Sequence, residues 1–455
     1  MLQVVIFLII LLIVAYVATV RYKRIYRNIN LGKDEDLSGD AAQRWKNTLL
    51  VAFGQKKMFK RMIPAVLHFF IYAAFLLTQV ELIEIIIDGI SGQHRVFADV
   101  LGGFYTFVIN FIEILSVLAF VATVVFLWRR NILKVPRFHM DEMTGWPKLD
   151  GNLILVGELL LLIGIFSMNG ADSLLQQLDP EHYPGTGHLA ISSVVGNTFF
   201  SGLSVGQLIA VERFGWWLHL SVVLGFLVYL PFSKHLHIFL AFFNTYFSPL
   251  KPRGEMENMP EIASEVRVMM GLAEDTGEVS DELPEFGAND IFGLNRTTLL
   301  GAYSCTECGR CTAECPANIT GKKLSPRKIM MDIRDRMEDV RRNIQSGNKE
   351  FIKAEFRESQ STLTAENYDD GKSLFDYISK EEIHACTTCN ACVEACPIMI
   401  DPLKPILDMR RYEILTESAG PADWVPMFNS LESSQSPWQL PDARDKWASE
   451  ARTNN

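Results

Sequence analysis

The sequence predicts an all-α protein in two unlike halves: a five-span transmembrane helical bundle with its N-terminus outside, then a water-facing helical domain built around two cysteine runs. Three observations carry that reading. Residues 1–247 hold five apolar stretches of the length a bilayer core requires, about 20 residues each, whereas 254–455 is polar and acidic. The averages over 455 residues, a net charge of −10 and a mean hydropathy of +0.13, conceal this division. All eight cysteines fall within 305–315 and 386–396, and the basic residues are distributed unevenly between the loops. The acidity names no partner, and no nucleic-acid-binding motif occurs.

The runs are Cys305-Thr-Glu-Cys308-Gly-Arg-Cys311-Thr-Ala-Glu-Cys315-Pro316 and Cys386-Thr-Thr-Cys389-Asn-Ala-Cys392-Val-Glu-Ala-Cys396-Pro397. Both read C-x2-C-x2-C-x3-C-P, the ferredoxin spacing for cubane iron–sulfur clusters. Two-residue gaps let three thiolates close on three corners of one cubane. The fourth cysteine, displaced by the extra residue and the proline, reaches the other cluster. The expected sets are Cys305, Cys308, Cys311 and Cys396 for one [4Fe–4S] cluster, and Cys386, Cys389, Cys392 and Cys315 for the second. Zinc and disulfides compete poorly. Zinc sites favour two CxxC pairs or Cys/His mixtures, and no cysteine remains for a disulfide framework. Reduced thiolates place this half on the cytoplasmic side.

The spans fall near 2–20, 62–88, 100–128, 151–169 and 214–241. The first has no basic residue ahead of its apolar run, and Arg21, Lys23, Arg24 and Arg27 follow it, as in an uncleaved anchor rather than a signal peptide. Loops 21–61 and 129–150 carry eleven and five Lys/Arg, while 89–99 has only Arg95 and 170–212 has none. The positive-inside rule then puts the N-terminus outside and the cysteine runs in the cytoplasm, across a bacterial cytoplasmic (inner) membrane. The stretch from His188 to Val211 is apolar but rich in Gly and Ser. It reads as an interfacial or re-entrant helix, because a sixth span would carry the cysteines outside.

Ionisable residues inside spans are candidates for function. His68 lies on the second span; His219 and His237 lie on the fifth, 18 residues apart, which is five turns and therefore one face. Spans two and five run oppositely, so His68 and His237 come to one depth near the inner surface. Two facing imidazoles suit a b-type haem, and the lack of CxxCH excludes c-type attachment. The competing reading makes each a polar residue at a helix contact. His235 is expected to point away to the headgroups, and His94, His139, His182, His188 and His384 to have surface roles. Glu81, Glu84, Glu113 and Glu158 are candidates for a quinone site or proton path, against the plainer reading of protonated glutamates bonded to neighbouring helices.

Ser248-Pro249-Leu250-Lys251-Pro252-Arg253-Gly254 breaks the last apolar helix. Residues 1–247 are thus the transmembrane haem b domain, 248–295 a linker, 296–418 the two-cluster ferredoxin domain and 419–455 a C-terminal tail. In the ferredoxin domain, Ser325 caps a helix with Pro326 at its first position and an end near Gly347. The pairs Asp332/Arg336 and Glu338/Arg342 mark an exposed face. Ser379 and Glu382 form a capping box before Cys386. The tail, with Trp424, Phe428, Trp438 and Trp447, is an expected partner contact.

Two resemblances rest on these residues. Five spans with an outward N-terminus, His68, and the run from His219 to Pro231-Phe-Ser-Lys-His-Leu-His237 resemble the gamma subunit of respiratory nitrate reductase, which carries two haems on helices two and five. The resemblance implies that His68 and His237 hold the cytoplasm-side haem and that His219 is one ligand of the outer one. Thr78 stands where that family has its second helix-two histidine. One haem b is expected, and a second only if His94, His182 or His188 folds inward. Otherwise His219 is expected to bond a quinone beside Glu81 or Glu84.

The cysteine runs, with Pro316-Ala-Asn-Ile-Thr-Gly321, Asp401-Pro402 and Met409-Arg410-Arg411, resemble heterodisulfide-reductase-like iron–sulfur proteins. The whole chain resembles membrane oxidoreductases that link electron-transfer flavoprotein to menaquinone. This implies a quinone-linked oxidoreductase subunit passing electrons from such a flavoprotein, or another soluble redox protein, to menaquinone or another quinone. Relatives carry a further cluster on Cys-Cys-Gly motifs, which are lacking here, so a separate subunit is expected to supply it. Two other functions fit: a quinol-oxidising subunit of a heterodisulfide or sulfur-compound reductase, and a non-catalytic membrane anchor.

Overall fold

Apolar length decides the first half of the fold. A computed structural model of the chain describes residues 2–252, 254–256, 258–272, 286–434, 436–438 and 445–453. Five helices are long and apolar enough to cross a membrane. They are α1 (Leu2–Ile29), the pair α2 (Met62–Leu77) and α3 (Gln79–Ser91), α4 (Gly103–Asn131), α5 (Trp146–Leu178) and α6 (Val205–Tyr229). Among the described residues there is no strand, only isolated bridges between Lys33 and Asn295 and between Ile352 and Tyr368. The second span jogs at Thr78, where the Thr78 hydroxyl and the Gln79 amide both donate to the Phe75 carbonyl at 3.2 and 2.8 Å. Helices α5 and α6 pack backbone to backbone. A Cβ on Gly215 would come within 2.6 Å of the Met168 nitrogen, the small-residue contact that membrane helices use in place of a hydrophobic drive.

The fifth span departs from expectation at both ends. It begins at Val205, so residues 205–213 belong to it, and the re-entrant element shrinks to a short helical stretch over 192–200. It also stops at Tyr229. Pro231 supplies no N–H for an α-helical bond, Ser233 is extended, and its side chain accepts from the His235 N–H. A new helix, α7 (His237–Tyr246), starts after this break. His219 and His237 therefore sit on different helices, and the five-turn phase between them does not exist.

At the end of the bundle where α1, α4 and α6 finish, the second domain docks directly. It contains α8 (Arg296–Ser304) and α9 (Pro326–Ser346), and α9 is capped by Ser325 and closed by Gly347 as the sequence predicts. The capping box of Ser379 and Glu382 forms as well. One hydrophobic core crosses the junction, with Ile25, Leu230 and Leu236 of the membrane half packed with Leu299, Ile329 and Ile400. Polar ties surround it. Asn28 donates to the Tyr303 hydroxyl at 2.6 Å, Asn244 to the Ile398 carbonyl at 2.7 Å, and Arg327 pairs with Glu142 at 2.7 Å.

The linker is shorter than expected, because Ala288, Ile291 and Leu294 are already buried in the ferredoxin core. Residues 273–285 of its acidic stretch lie outside the described residues. The exposed face expected on α9 is also corrected. Arg336 does not pair with Asp332 but reaches inward, 3.0 Å from Asp290 and 2.7 Å from Asp370, with its side chain 1% exposed. Glu338 pairs with Arg24 of α1, and Arg342 with Asp339. A buried arginine removed from two carboxylates leaves both uncompensated. Arg336→Ala is therefore expected to destabilise the ferredoxin domain by about 3–5 kcal/mol. Arg342→Ala, on the solvent side, should stay within about 0.5 kcal/mol. Loss of cluster absorbance along a denaturant ramp measures both.

Candidate metal and cofactor centres

The two cysteine runs fold alike because they bend alike. Glu307 and Thr388, at matching places before the second cysteine of each run, both have positive φ (53° and 54°). So do Gly309 and Asn390, just after it, at 68° and 59°. The left-handed turns aim backbone N–H groups and thiols toward one centre. Gly309 tolerates no side chain: besides its φ, a Cβ would sit 2.5 Å from the Arg327 guanidinium. Backbone N–H groups donate to the sulfurs, among them Thr388 to Cys386 at 3.4 Å and Ile400 to Cys396 at 3.3 Å.

The fourth cysteine of the second run joins the first run. A space of about 20 Å3 is lined by Cys305, Cys308, Cys311 and Cys396 together. Burial pushes the Cys305 thiol up to about 12, and the neighbouring Cys308 and Cys396 raise it further against the N–H of Glu307. Burial likewise lifts Cys396 to about 11, with Cys308 beside it. In the other set, burial raises Cys386 and Cys392, and Cys315 adds like-charge repulsion to both. Such thiols ionise only against a cation, which iron supplies on binding. Cys389 is exposed, whereas Cys305, Cys315, Cys392 and Cys396 are buried.

The largest change to the expected site concerns the histidines. His68 and His237 face each other with ring centroids 6.5 Å apart, as expected, although from α2 and α7 rather than from two continuous spans. His235, expected at the headgroups, stands beside His237 at 5.7 Å because the break after Tyr229 turns it inward. His237 Nδ1 is held 3.0 Å from the Lys234 carbonyl, and His68 Nδ1 is buried without a partner. All three rings line a cavity of about 340 Å3, whose walls also include Ile71, Phe75, Leu155, Phe242 and Cys308. Two imidazoles bound to opposite sides of one metal, at about 2.0 Å each, set their centroids about 6.3 Å apart. The observed pair fits that distance.

The four span glutamates separate. Glu158 alone of them lines the cavity. Glu84 accepts from the Tyr105 hydroxyl at 2.7 Å and the Phe97 N–H at 3.0 Å. Glu113 accepts from the Ile191 N–H at 3.0 Å and from Ser192. Both secure loops at the opposite end of the bundle, around a buried Arg95 that reaches Asp172 at 2.8 Å and Asn169 at 2.7 Å. Glu81 is buried near them. His94 is not a plain surface residue, since it pairs with Asp172 at 2.9 Å. His219 is packed against α5 with Nδ1 3.1 Å from the Leu161 carbonyl.

Sequence reasoning missed Glu307 and Lys234. Glu307, between Cys305 and Cys308, is buried and pairs with Lys234 and, at 2.9 Å, with Arg334. Only its charge inside a motif could have drawn notice.

Residues 304–400 match the 4Fe-4S dicluster domain family. The chain thus joins a 4Fe-4S dicluster domain to five helices long and apolar enough to cross a membrane, and that combination defines its class. Within that class, the chain is 31% identical over 440 residues to the "Probable iron-sulfur-binding oxidoreductase FadF" of Bacillus subtilis, spanning 93% of this chain and 57% of the relative. It is 24% identical over 409 residues to the "EtfAB:quinone oxidoreductase" of Syntrophomonas wolfei, spanning 87% and 52%. Over 156 residues it is 33% identical to a "Probable membrane-anchored ferredoxin" of Chromohalobacter salexigens, 33% of this chain and 22% of the relative. The chain thus spans about half the length of the first two relatives. No solved structure matches it.

Exposure and thiol acidity order the cysteines chemically. Once the clusters are chelated away, the exposed Cys389 should alkylate first and the buried Cys305, Cys392 and Cys396, whose thiols burial raises, last, by timed peptide mapping. Because the thiolate reacts and Cys305 titrates near 12, its rate should rise about tenfold from about pH 8 to about pH 9.

Proposed function

We propose that the chain is a membrane electron conduit between a soluble redox partner and the quinone pool. One observation carries this: a single cavity is lined by His68, His235 and His237 and also by Cys308. Iron–sulfur ligands and the histidine pair thus share a boundary, as sites that exchange electrons must. We assign Cys305, Cys308, Cys311 and Cys396 to a cluster next to the membrane half, and Cys386, Cys389, Cys392 and Cys315 to a second one. The latter set includes the exposed Cys389, so the soluble partner meets it first.

His68 and His237 hold haem b in this reading, which when bound supplies a one-electron iron couple. Supporting the fit are their spacing, the apolar walls and the unpartnered His68 Nδ1. The Lys234 carbonyl fixes the His237 ring and keeps its other nitrogen free for iron. The quinone is menaquinone or a close analogue. Its reduction takes two electrons and two protons, and Glu158 is the carboxyl best set to pass a proton beside the haem ligands. His219 is the residue for a quinone, or for a ligand of a second haem, deeper in the bundle.

The preferred donor is electron-transfer flavoprotein, in keeping with the name of the Syntrophomonas wolfei relative. The iron–sulfur domain faces the cytoplasm, on the charge distribution of the loops. A further cluster on Cys-Cys-Gly motifs would come from outside the 455 residues, since all eight thiols here are assigned. The tail is its expected contact: α10 (Trp424–Ser434) lays Trp424 against His384 at 4.9 Å, and Val425, Phe428 and Leu431 are exposed.

Two measurements test this. Cys315→Ser should damage the cluster of Cys386, Cys389 and Cys392 more than its sequence neighbours' cluster; EPR showing the reverse would refute the crossed ligation. A pyridine haemochrome assay should give one haem per chain, abolished by His68→Ala and retained in His219→Ala. Two haems per chain, or haem surviving in His68→Ala, would overturn the assignment.

A further inference from the structure

The histidine cavity also has a cationic lining of arginines, and among the described residues those arginines form no ion pair. Arg129, Arg130 and Arg137 line it. Arg130 is buried and donates from Nη2 to the carbonyls of Pro147 and Lys148 at 3.0 and 3.3 Å, yet its Nε has no partner. The Nε of Arg137 is likewise buried and unbonded. Both guanidinium groups lie against the Phe138 ring, 5.3 and 4.9 Å from its centroid, so one aromatic side chain positions both.

Gly151 gives Arg130 its room, because a Cβ there would come 2.6 Å from the guanidinium carbon. The acids whose charges bear on Arg130, Glu307 and Asp150, are already bonded to Lys234. Around Arg137 stand the Cys308 thiol and three more cations, Arg61, Arg129 and Arg310. A cation held away from water with its neighbouring acids engaged elsewhere is costly, and a ligand with two carboxylates lowers that cost.

We propose that Arg130 and Arg137 form a dicarboxylate subsite that receives the two propionates of haem b, while His68 and His237 ligate its iron. This rests on the haem assignment above and extends it to the arginines of the cavity. Two fixed guanidiniums match two carboxylates with charge-assisted hydrogen bonds, and the apolar walls between match the macrocycle. A quinone, which carries no carboxylate, leaves the arginines unanswered.

The test exchanges protohaem, in the purified full-length protein, for its dimethyl ester, which keeps the iron and ring but lacks both charges. Wild type should hold protohaem at least about tenfold more tightly than the ester, tenfold being about 1.4 kcal/mol. The Arg130→Gln/Arg137→Gln variant should hold both alike, with an unchanged bis-imidazole spectrum and a lowered haem potential, since unbalanced propionates favour ferric iron. Arg130→Lys/Arg137→Lys should restore part of the preference. Equal affinity in wild type, or a preference that survives the glutamine substitutions, would overturn the proposal. So would a change confined to the potential of the cluster beside Cys308, which would make the arginines counter-charges for that cluster. A wild-type protein without haem would overturn the haem assignment itself, and the subsite with it.

Discussion

A carboxylate inside a cysteine motif fixes the two halves of the molecule against each other. Glu307 lies between Cys305 and Cys308, buried, and bonds Lys234 from the membrane half and Arg334 from α9. Lys234 also donates to the Pro147 carbonyl at 2.6 Å, and its own carbonyl orients His237. A continuous bonded path therefore runs from a cysteine to a histidine across the junction. An ion pair this desolvated adds little net stability against an apolar substitute, and its value lies in register. The hydrophobic core holds the domains together; Glu307 decides how they are aligned.

What could be read from the sequence was local. Cysteine spacing, apolar span length and the caps at Ser325 and Ser379 depend on neighbours a few residues away, and the corresponding elements stand where they were expected. The fifth span failed for the same reason that it looked convincing. Both α6 and α7 are apolar, so hydropathy runs on through 214–241 while only Pro231 and Ser233 mark the break. Once helical phase was carried across that break, His235 was bound to be misplaced. Arg336 failed differently. Its i,i+4 partner was plausible on a solvent face, but its true partners, Asp290 and Asp370, lie 46 and 34 residues away. Spacing along one helix cannot see them.

The polar groups inside the bundle divide its two ends by role. Around Arg95, carboxylates meet backbone N–H groups and hydroxyls and hold the loops that close that end. Satisfied groups of this kind are how a membrane protein tolerates buried charge. Near the histidines, by contrast, Nδ1 of His68, Nδ1 of His235 and Nε of Arg130 and Arg137 have no partner. Unbonded groups thus gather near the histidines, while at the Arg95 end, among the described residues, only Glu212, beside His94 and Asp172, keeps a buried oxygen without a hydrogen bond.

The break after Tyr229 also bears on biogenesis. Helix α7 is tied to the iron–sulfur half through Asn244 and through its packing on α8, whereas His68 rides on α2 within the bilayer. The facing imidazoles thus come from two helices, and α7 is seated both on α8 of the iron–sulfur half and on residues 41–53 of the membrane half. Under the haem assignment proposed above, loading at that pair would need α7 seated in place, which would tie capture of the prosthetic group to folding of the iron–sulfur half.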